Sequence, residues 1–284
     1  MPNLVQKSTI LQTATGNNFF MALVKLDNKS IYYEQHGKGI PLVMIAGLGS
    51  DSVSWLPVIL DLAKHFKVIT FDNRGVGRTT EDNSNISIED MADDCAELII
   101  KLNLSSVIVL GHSMGGMIAM DLARRYPELV DKLILEATAT KMSNRNVEML
   151  EDWISFLKNG MDRKLWFRNM FYWIFSPSFF NDKLMLDQAV DMAIRYRYAQ
   201  SDISFENQVK ALSKFDYQNI ISEIKARTLV IYGELDLLFP PMETEKIFDN
   251  IPDMKSTTIK NAAHSIHMDE PKEFVRTVVD FVAG

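Results

Sequence analysis

One cysteine, Cys95, in a chain of 284 residues rules out an internal disulfide. Such a chain is at home in a reducing compartment, and a cytoplasmic protein is expected. No apolar run approaches the roughly 18 to 20 residues of a membrane span. The opening stretch MPNLVQKSTILQTATGNNFF has no continuous apolar h-region followed by a small-residue cleavage site, so no secretory leader is expected. Basic charge is also in deficit, with 30 Lys and Arg against 37 Asp and Glu and a net charge of −7. That balance argues against nucleic acid and against an anionic membrane surface, both of which favour a basic partner. The chain has no internal repeat, no low-complexity linker and no Cys/His cluster with zinc spacing. His264-x-x-His267 lacks a ligand-bearing helix context, so no metal is expected.

What remains is ample for a packed core, since 47% of residues are hydrophobic and 24% charged. The length suits one α/β domain carrying an insertion. FFMALVKL and SIYYEQHG flank Asp27-Asn28-Lys29 as a hairpin. PLVMIAG, FKVITFDNRG, SSVIVLG and VDKLILEATA then read as short strands, separated by helical patterns in SWLPVILDLAKH, IEDMADDCAELIIKL and GGMIAMDLARRYP. Cys95 falls on the apolar stripe of the second of these helices and is expected in the core. Strands alternating with helices imply a mostly parallel sheet with helices on both faces. The rhythm breaks near Thr140 and resumes at ARTLVIYGELD. The chain therefore divides into a core of 1–140 and 214–284 and a helical, aromatic-rich insertion of 141–213, placed after the sixth strand. Trp153, Phe156, Trp166, Phe167, Phe171, Tyr172, Trp173, Phe175, Phe179 and Phe180 crowd the insertion.

Gly111-His112-Ser113-Met114-Gly115 fits G-x-S-x-G between a β-branched run and an amphipathic helix. A nucleophile on so tight a corner occupies strained torsions, so the residues two positions away must be small. The helix beginning there also aims its free N–H groups at developing negative charge. A serine hydroxyl needs a base, usually a histidine held by an acid. Of five histidines, His36 and His65 are expected in solvent, and His112 beside the serine is a pocket candidate. His264 and His267 lie in IKNAAHSIHMDEP after the last strand, where loops gather at the carboxyl edge of a sheet. His264 is preferred as base, with His267 as the alternative. For the acid, Asp236 in LVIYGELDLLFPP is preferred. Glu234 is nearby, and Glu136, ending KLILE, could reach the same histidine from another loop. Asp72-Asn73-Arg74-Gly75-Val76-Gly77-Arg78 lacks the third glycine and the ribose acid of a nucleotide loop, and is expected to be structural.

The order Ser113, Asp236, His264 and the segments MIAGLGSDSVSW, FDNRGVGRT, GHSMGG, YGELDLLFP and AAHSIHMDEPKEF together resemble the α/β-hydrolase superfamily, in its lid-bearing group of small esterases and lactonases. The resemblance covers nearly the whole chain. It departs at Ala46-Gly47, where His-Gly is usual, and at Ala263-His264, where Gly-His is usual; both keep a small neighbour. It implies a catalytic triad of Ser113, Asp236 and His264, and an oxyanion hole from the backbone N–H groups of Leu48 and Met114. It further implies a lid over the pocket, whose roof takes a few of the insertion's aromatics without the resemblance saying which; Trp166, Phe171 and Trp173 are the candidates taken here, and by position Leu48, Met114 and Leu238 are floor candidates. The activity implied is hydrolysis of a small-molecule carboxylic ester, thioester or lactone without cofactor, by a monomer or homodimer. An enol-lactonase, a carbon–carbon bond hydrolase, or a non-catalytic ligand receptor on the same fold are the alternatives.

Overall fold

The computed structural model describes residues 9–12, 18–27, 29–79 and 85–284. Much of the stretch considered for a leader, and Asn28 of the first turn, lie outside the described residues. The hairpin forms as expected, with β2 (Asn18–Lys25) antiparallel to β3 (Ser30–His36) and Lys25 opposite Ser30. A further strand, β1 (Thr9–Gln12), pairs with β2. The parallel part of the sheet contains β4 (Ile40–Ile45), β5 (Phe66–Phe71), β6 (Val107–His112), β7 (Val130–Glu136), β8 (Arg227–Gly233) and β9 (Met254–Ile259). Among the described residues these nine strands form one sheet in the order β1-β2-β3-β5-β4-β6-β7-β8-β9.

The middle positions of β4 and β6 are apolar on both faces because both faces are covered. In β6, Val107 and Val109 face one core layer while Ile108 and Leu110 face the other. Val43 and Ile45 of β4 share the first layer, and Leu42 and Met44 the second. The first layer is covered by α2 (Ile88–Lys101) and α3 (Met114–Arg125), the second by α1 (Leu56–Leu62) and α10 (Pro271–Ala283). Helix α2 starts at a capping box in which the Ser87 hydroxyl accepts from Asp90 N–H while the Asp90 carboxylate accepts from Ser87 N–H. Cys95 is fully buried on its inner stripe, as expected.

Between β7 and β8 the chain forms α4 (Asn144–Lys158), α5 (Arg163–Ile174), α6 (Lys183–Arg195) and α7 (Asp202–Lys214). A bridge between Lys141 and Asp216, and Tyr217 N–H donating to the Thr140 carbonyl at 2.8 Å, hold its two ends together. This insertion follows the seventh strand rather than the sixth, because the short β1 was not legible as a strand. After β8 come α8 (Pro241–Phe248) and, after β9, the single turn α9 (Ile266–Asp269). No helix among the described residues is long and apolar enough to cross a membrane. His65 is exposed as expected, but His36 is not solvated: its Nε2 lies 3.2 Å from Glu34 Oε2 and its ring 4.6 Å from Phe19.

Candidate active site

Ser113 stands between β6 and α3 with φ 54° and ψ −119°, a left-handed backbone that a serine seldom adopts. The flanking glycines make the corner possible. A Cβ on Gly111 would lie 2.2 Å from the Gly115 carbonyl oxygen, and one on Gly115 would lie 2.1 Å from that of Ile45. Only a bare Cα permits the two backbones to approach so closely. The corner is pinned by Ser113 N–H donating to the Glu136 carbonyl at 2.9 Å and by Thr138 Oγ1–H donating to the Ser113 carbonyl at 2.7 Å.

Asp236 follows β8 in a tight turn, where its Oδ1 accepts from the N–H groups of Leu238 at 2.8 Å and Phe239 at 3.0 Å. Its Oδ2 accepts from His264 Nδ1–H at 3.0 Å. Burial works to raise this carboxyl, but the His264 charge and these hydrogen bonds hold it below its ordinary range. With Nδ1 taken by the acid, Nε2 is the nitrogen of His264 left for chemistry. Ser113 and His264 border one cavity of about 640 Å³, which lies between the sheet edge and the insertion.

The two N–H groups assigned to an oxyanion differ from their neighbour. Among the described residues, neither Leu48 N–H nor Met114 N–H has an acceptor, whereas Gly49 N–H donates to Gln208 Oε1 at 3.2 Å. Gln208 belongs to α7 and its amide also donates to the Arg74 carbonyl at 3.1 Å, so the insertion braces the Gly47–Gly49 loop. No spacing rule in the sequence points to that contact. The GVG segment is structural: the buried Asp72 accepts from Ser52 N–H at 3.0 Å and from Arg78 N–H at 2.8 Å.

Leu48, His112, Leu238, Trp166 and Phe171 line the cavity, but Trp173 does not. At roughly 100° per residue, Trp166, Phe167, Met170, Phe171 and Ile174 occupy one half of α5. Trp173 falls just past the edge of that arc and packs, partly buried, against the main core. Met114 is likewise not a floor residue, since its side chain is buried in the core and it offers the site only its N–H. The structure adds Asp51 and Tyr196, which the sequence did not single out. Tyr196, after α6, donates its hydroxyl to Asp51 Oδ2 at 2.5 Å across the cavity wall. Burial raises the Asp51 carboxyl above its ordinary range.

Glu136 does not reach His264. It serves the other histidine of the loop, with Oε1 accepting from His267 Nδ1–H at 2.8 Å and from His267 N–H at 3.0 Å. His112 sits between them, with ring centroids 4.9 Å from His264 and 5.0 Å from His267, and its Nε2–H donates to the His264 carbonyl at 3.0 Å. Burial, with the neighbouring imidazoles, lowers His112 to about 3, so it is neutral at physiological pH. Burial also works to raise Glu136, but His267 and His112 hold it below its ordinary range. Ligand atoms of His112, Glu136 and His267 lie within 4.8 Å of one another, the one such group found among the described residues. Hydrogen bonds engage Glu136 Oε1, His267 Nδ1 and His112 Nε2, while Glu136 Oε2 and His267 Nε2 have no partner among the described residues.

A strained serine at a strand-to-helix corner, beside a carboxylate-bound histidine and two free amides, is equipped for attack on a polarised carbonyl. Comparison with known proteins is consistent with that architecture. The curated protein "Putative carbamate hydrolase RutD" of Agrobacterium fabrum is 30% identical over 258 residues, spanning 89% of this chain and 98% of its own. The enol-lactonase from Burkholderia xenovorans LB400 superposes with a TM-score of 0.83 at 21% identity, covering 92% of this chain and 100% of that one. The thermophilic esterase from Thermogutta terrifontis gives a TM-score of 0.81 at 21% identity, covering 93% and 98%. At such identities the structural likeness is one of fold. A family model described as alpha/beta hydrolase fold matches residues 40–271, and the chain belongs to that family.

Proposed function

We propose that the protein is a serine hydrolase that cleaves a carboxylic ester, thioester or lactone of a small to medium apolar substrate through an acyl-enzyme. The observation that carries this is that Ser113, strained at φ 54°, and a His264 whose Nδ1 is committed to Asp236 both border one cavity. His264 Nε2 takes the hydroxyl proton as Ser113 Oγ attacks the carbonyl carbon. The N–H groups of Leu48 and Met114 stabilise the oxyanion, and His264 returns the proton to the leaving group. Water, deprotonated by His264, then attacks the acyl-serine and regenerates the hydroxyl. Asp236 holds the imidazole tautomer throughout. No cofactor enters these steps. Residues 141–213 act as the lid, and the chain works as a monomer or homodimer in the cytoplasm.

The cavity favours a bulky apolar acyl or alcohol group, given its volume of about 640 Å³ and lining residues such as Met149, Trp153, Trp166, Phe171 and Phe205. A bare carbamate, with only a handful of non-hydrogen atoms, leaves most of that space unfilled, whereas an aryl carbamate ester fits the same chemistry. The test is a panel of p-nitrophenyl esters from acetate to octanoate, with lactones, acyl thioesters and an aryl carbamate, on wild type and Ser113→Ala. Hydrolysis that disappears in Ser113→Ala is expected, strongest for medium acyl chains. No turnover of any member, or an alanine variant at the wild-type rate, contradicts the proposal.

A further inference from the structure

Nothing in the proposed chemistry uses Glu136, His112 or His267, yet all three are buried, Glu136 and His112 touch the catalytic candidates, and His267 is held by Glu136. A carboxylate with no exposure is expensive to keep, and packing alone does not call for one at the end of a strand. The position of Glu136 gives it two attachments. Its main-chain carbonyl accepts Ser113 N–H at 2.9 Å, and its side chain accepts the N–H of His267 at 3.0 Å. One residue thus grips both the nucleophile corner and the loop carrying the base. His112 makes a second link, being joined covalently to Ser113 while its Nε2–H holds the His264 carbonyl at 3.0 Å.

These two ties are the ones that join the loop to the Ser113 corner. Between β9 and α10 only the single turn α9 is regular. Other anchors bind it to itself, through Ala263 N–H on Asp269 Oδ2 at 2.9 Å, and to the insertion, through Ser265 N–H on the Ile174 carbonyl at 2.9 Å. Three more bind it to the turn after β8: His264 Nδ1–H on Asp236 Oδ2 at 3.0 Å, Asn261 N–H on Glu234 Oε2 at 3.0 Å, and Leu235 N–H on the Ala262 carbonyl at 2.9 Å. None of these relates it to the Ser113 corner.

We propose that Glu136 and His112 are positioning residues that set the separation of Ser113 and His264, Glu136 by bridging the two segments and His112 by holding the His264 carbonyl. The claim rests on the catalytic reading above for its effect on rate, but its structural content stands apart from it. A misplacement of about 1 Å in such an arrangement costs on the order of a hundredfold in rate.

Two measurements on Glu136→Ala, Glu136→Gln and His112→Ala test it. The first is hydrogen exchange of the amides of residues 263–268, which requires no turnover. The second is kcat and KM on p-nitrophenyl butyrate. Exchange in Glu136→Ala is expected to quicken at least about tenfold in this segment, with kcat down about a hundredfold and KM within about threefold. Glu136→Gln keeps an oxygen for His267 N–H, so it should hold exchange near wild type and kcat within about tenfold. His112→Ala, which leaves no buried charge unpaired and serves if Glu136→Ala fails to fold, should quicken exchange at 263–266 and lower kcat about tenfold. Unchanged exchange in the folded variants overturns the positioning claim whatever the activity. A wild type without esterase activity instead overturns the catalytic reading and leaves the exchange comparison to decide this one.

Discussion

Two histidine–carboxylate pairs stand side by side at the carboxyl edge of the sheet. Asp236 holds His264 at 3.0 Å after β8, and Glu136 holds His267 at 2.8 Å at the end of β7. In each, Nδ1–H donates to the carboxylate and both partners are buried. The difference lies in the second nitrogen. His264 and His267 both border the cavity that Ser113 borders, but His267 Nε2 is shut away from solvent with no partner among the described residues, its ring 4.4 Å from that of Trp55. A histidine–carboxylate pair is thus catalytic equipment only where its free nitrogen can meet a nucleophile. On the proposed reading, the same pair one strand away is a fastening.

The comparison breaks most visibly in activity. Asp236→Asn should lower kcat by about 10³–10⁴-fold through the wrong imidazole tautomer, with His264→Ala at least as severe. His267→Gln, with its own fold intact, should lose no more than about tenfold on the same p-nitrophenyl ester. Stability should rank the other way. His267→Leu leaves the buried Glu136 charge with only the residue-267 N–H of these two bonds, which should cost about 3–5 kcal/mol in urea unfolding. His264→Ala should cost less, since Asp236 keeps its bonds from Leu238 and Phe239. If the two pairs gave the same order in both assays, their division of labour would be refuted.

A smaller effect sharpens the cavity side of the contrast. Phe171→Ala should raise KM for an octanoate ester about five- to tenfold, because an apolar wall of the cavity is removed. Trp173→Ala should leave that KM unchanged within about twofold, since the ring packs outside the cavity. Smallest of all is a pH effect on stability. His112 is lowered from an ordinary 6.5 to about 3, so in that interval the unfolded chain takes up a proton that the folded chain refuses. Its contribution to stability is therefore complete above about pH 6.5 and is lost as pH falls toward 3. Scanning calorimetry of His112→Asn across this range should show a shallower fall in Tm than wild type.

Local signals carried most of what the sequence revealed. Alternation and apolar runs located the strands, and G-x-S-x-G before an amphipathic helix located the Ser113 corner, because both are written in consecutive residues. Contacts between distant segments were not legible in the same way. Glu136 and His267 were both visible as chemistry-bearing residues, but nothing in spacing says that an acid after β7 takes the second histidine of the loop and leaves the first to Asp236. Gln208 on the Gly49 amide and Tyr196 on Asp51 join the insertion to the core across more than a hundred residues. Trp173 was misplaced for a different reason, since aromatic crowding alone does not give the helical arc; the wheel of α5 separates it from Phe171. The strand β1 has only four residues, too few for alternation to register.

The central claim is that one serine, activated through one of the two histidines, performs the chemistry. The most direct test is labelling with a fluorophosphonate at neutral pH, read by intact mass and peptide mapping, on wild type, Ser113→Ala, His264→Ala and His267→Gln. The expected result is one adduct, on Ser113, absent from Ser113→Ala, lost or slowed at least about a hundredfold in His264→Ala, and retained in His267→Gln. No adduct on wild type, an adduct on another residue, or a His264→Ala variant that labels as fast as His267→Gln would contradict it.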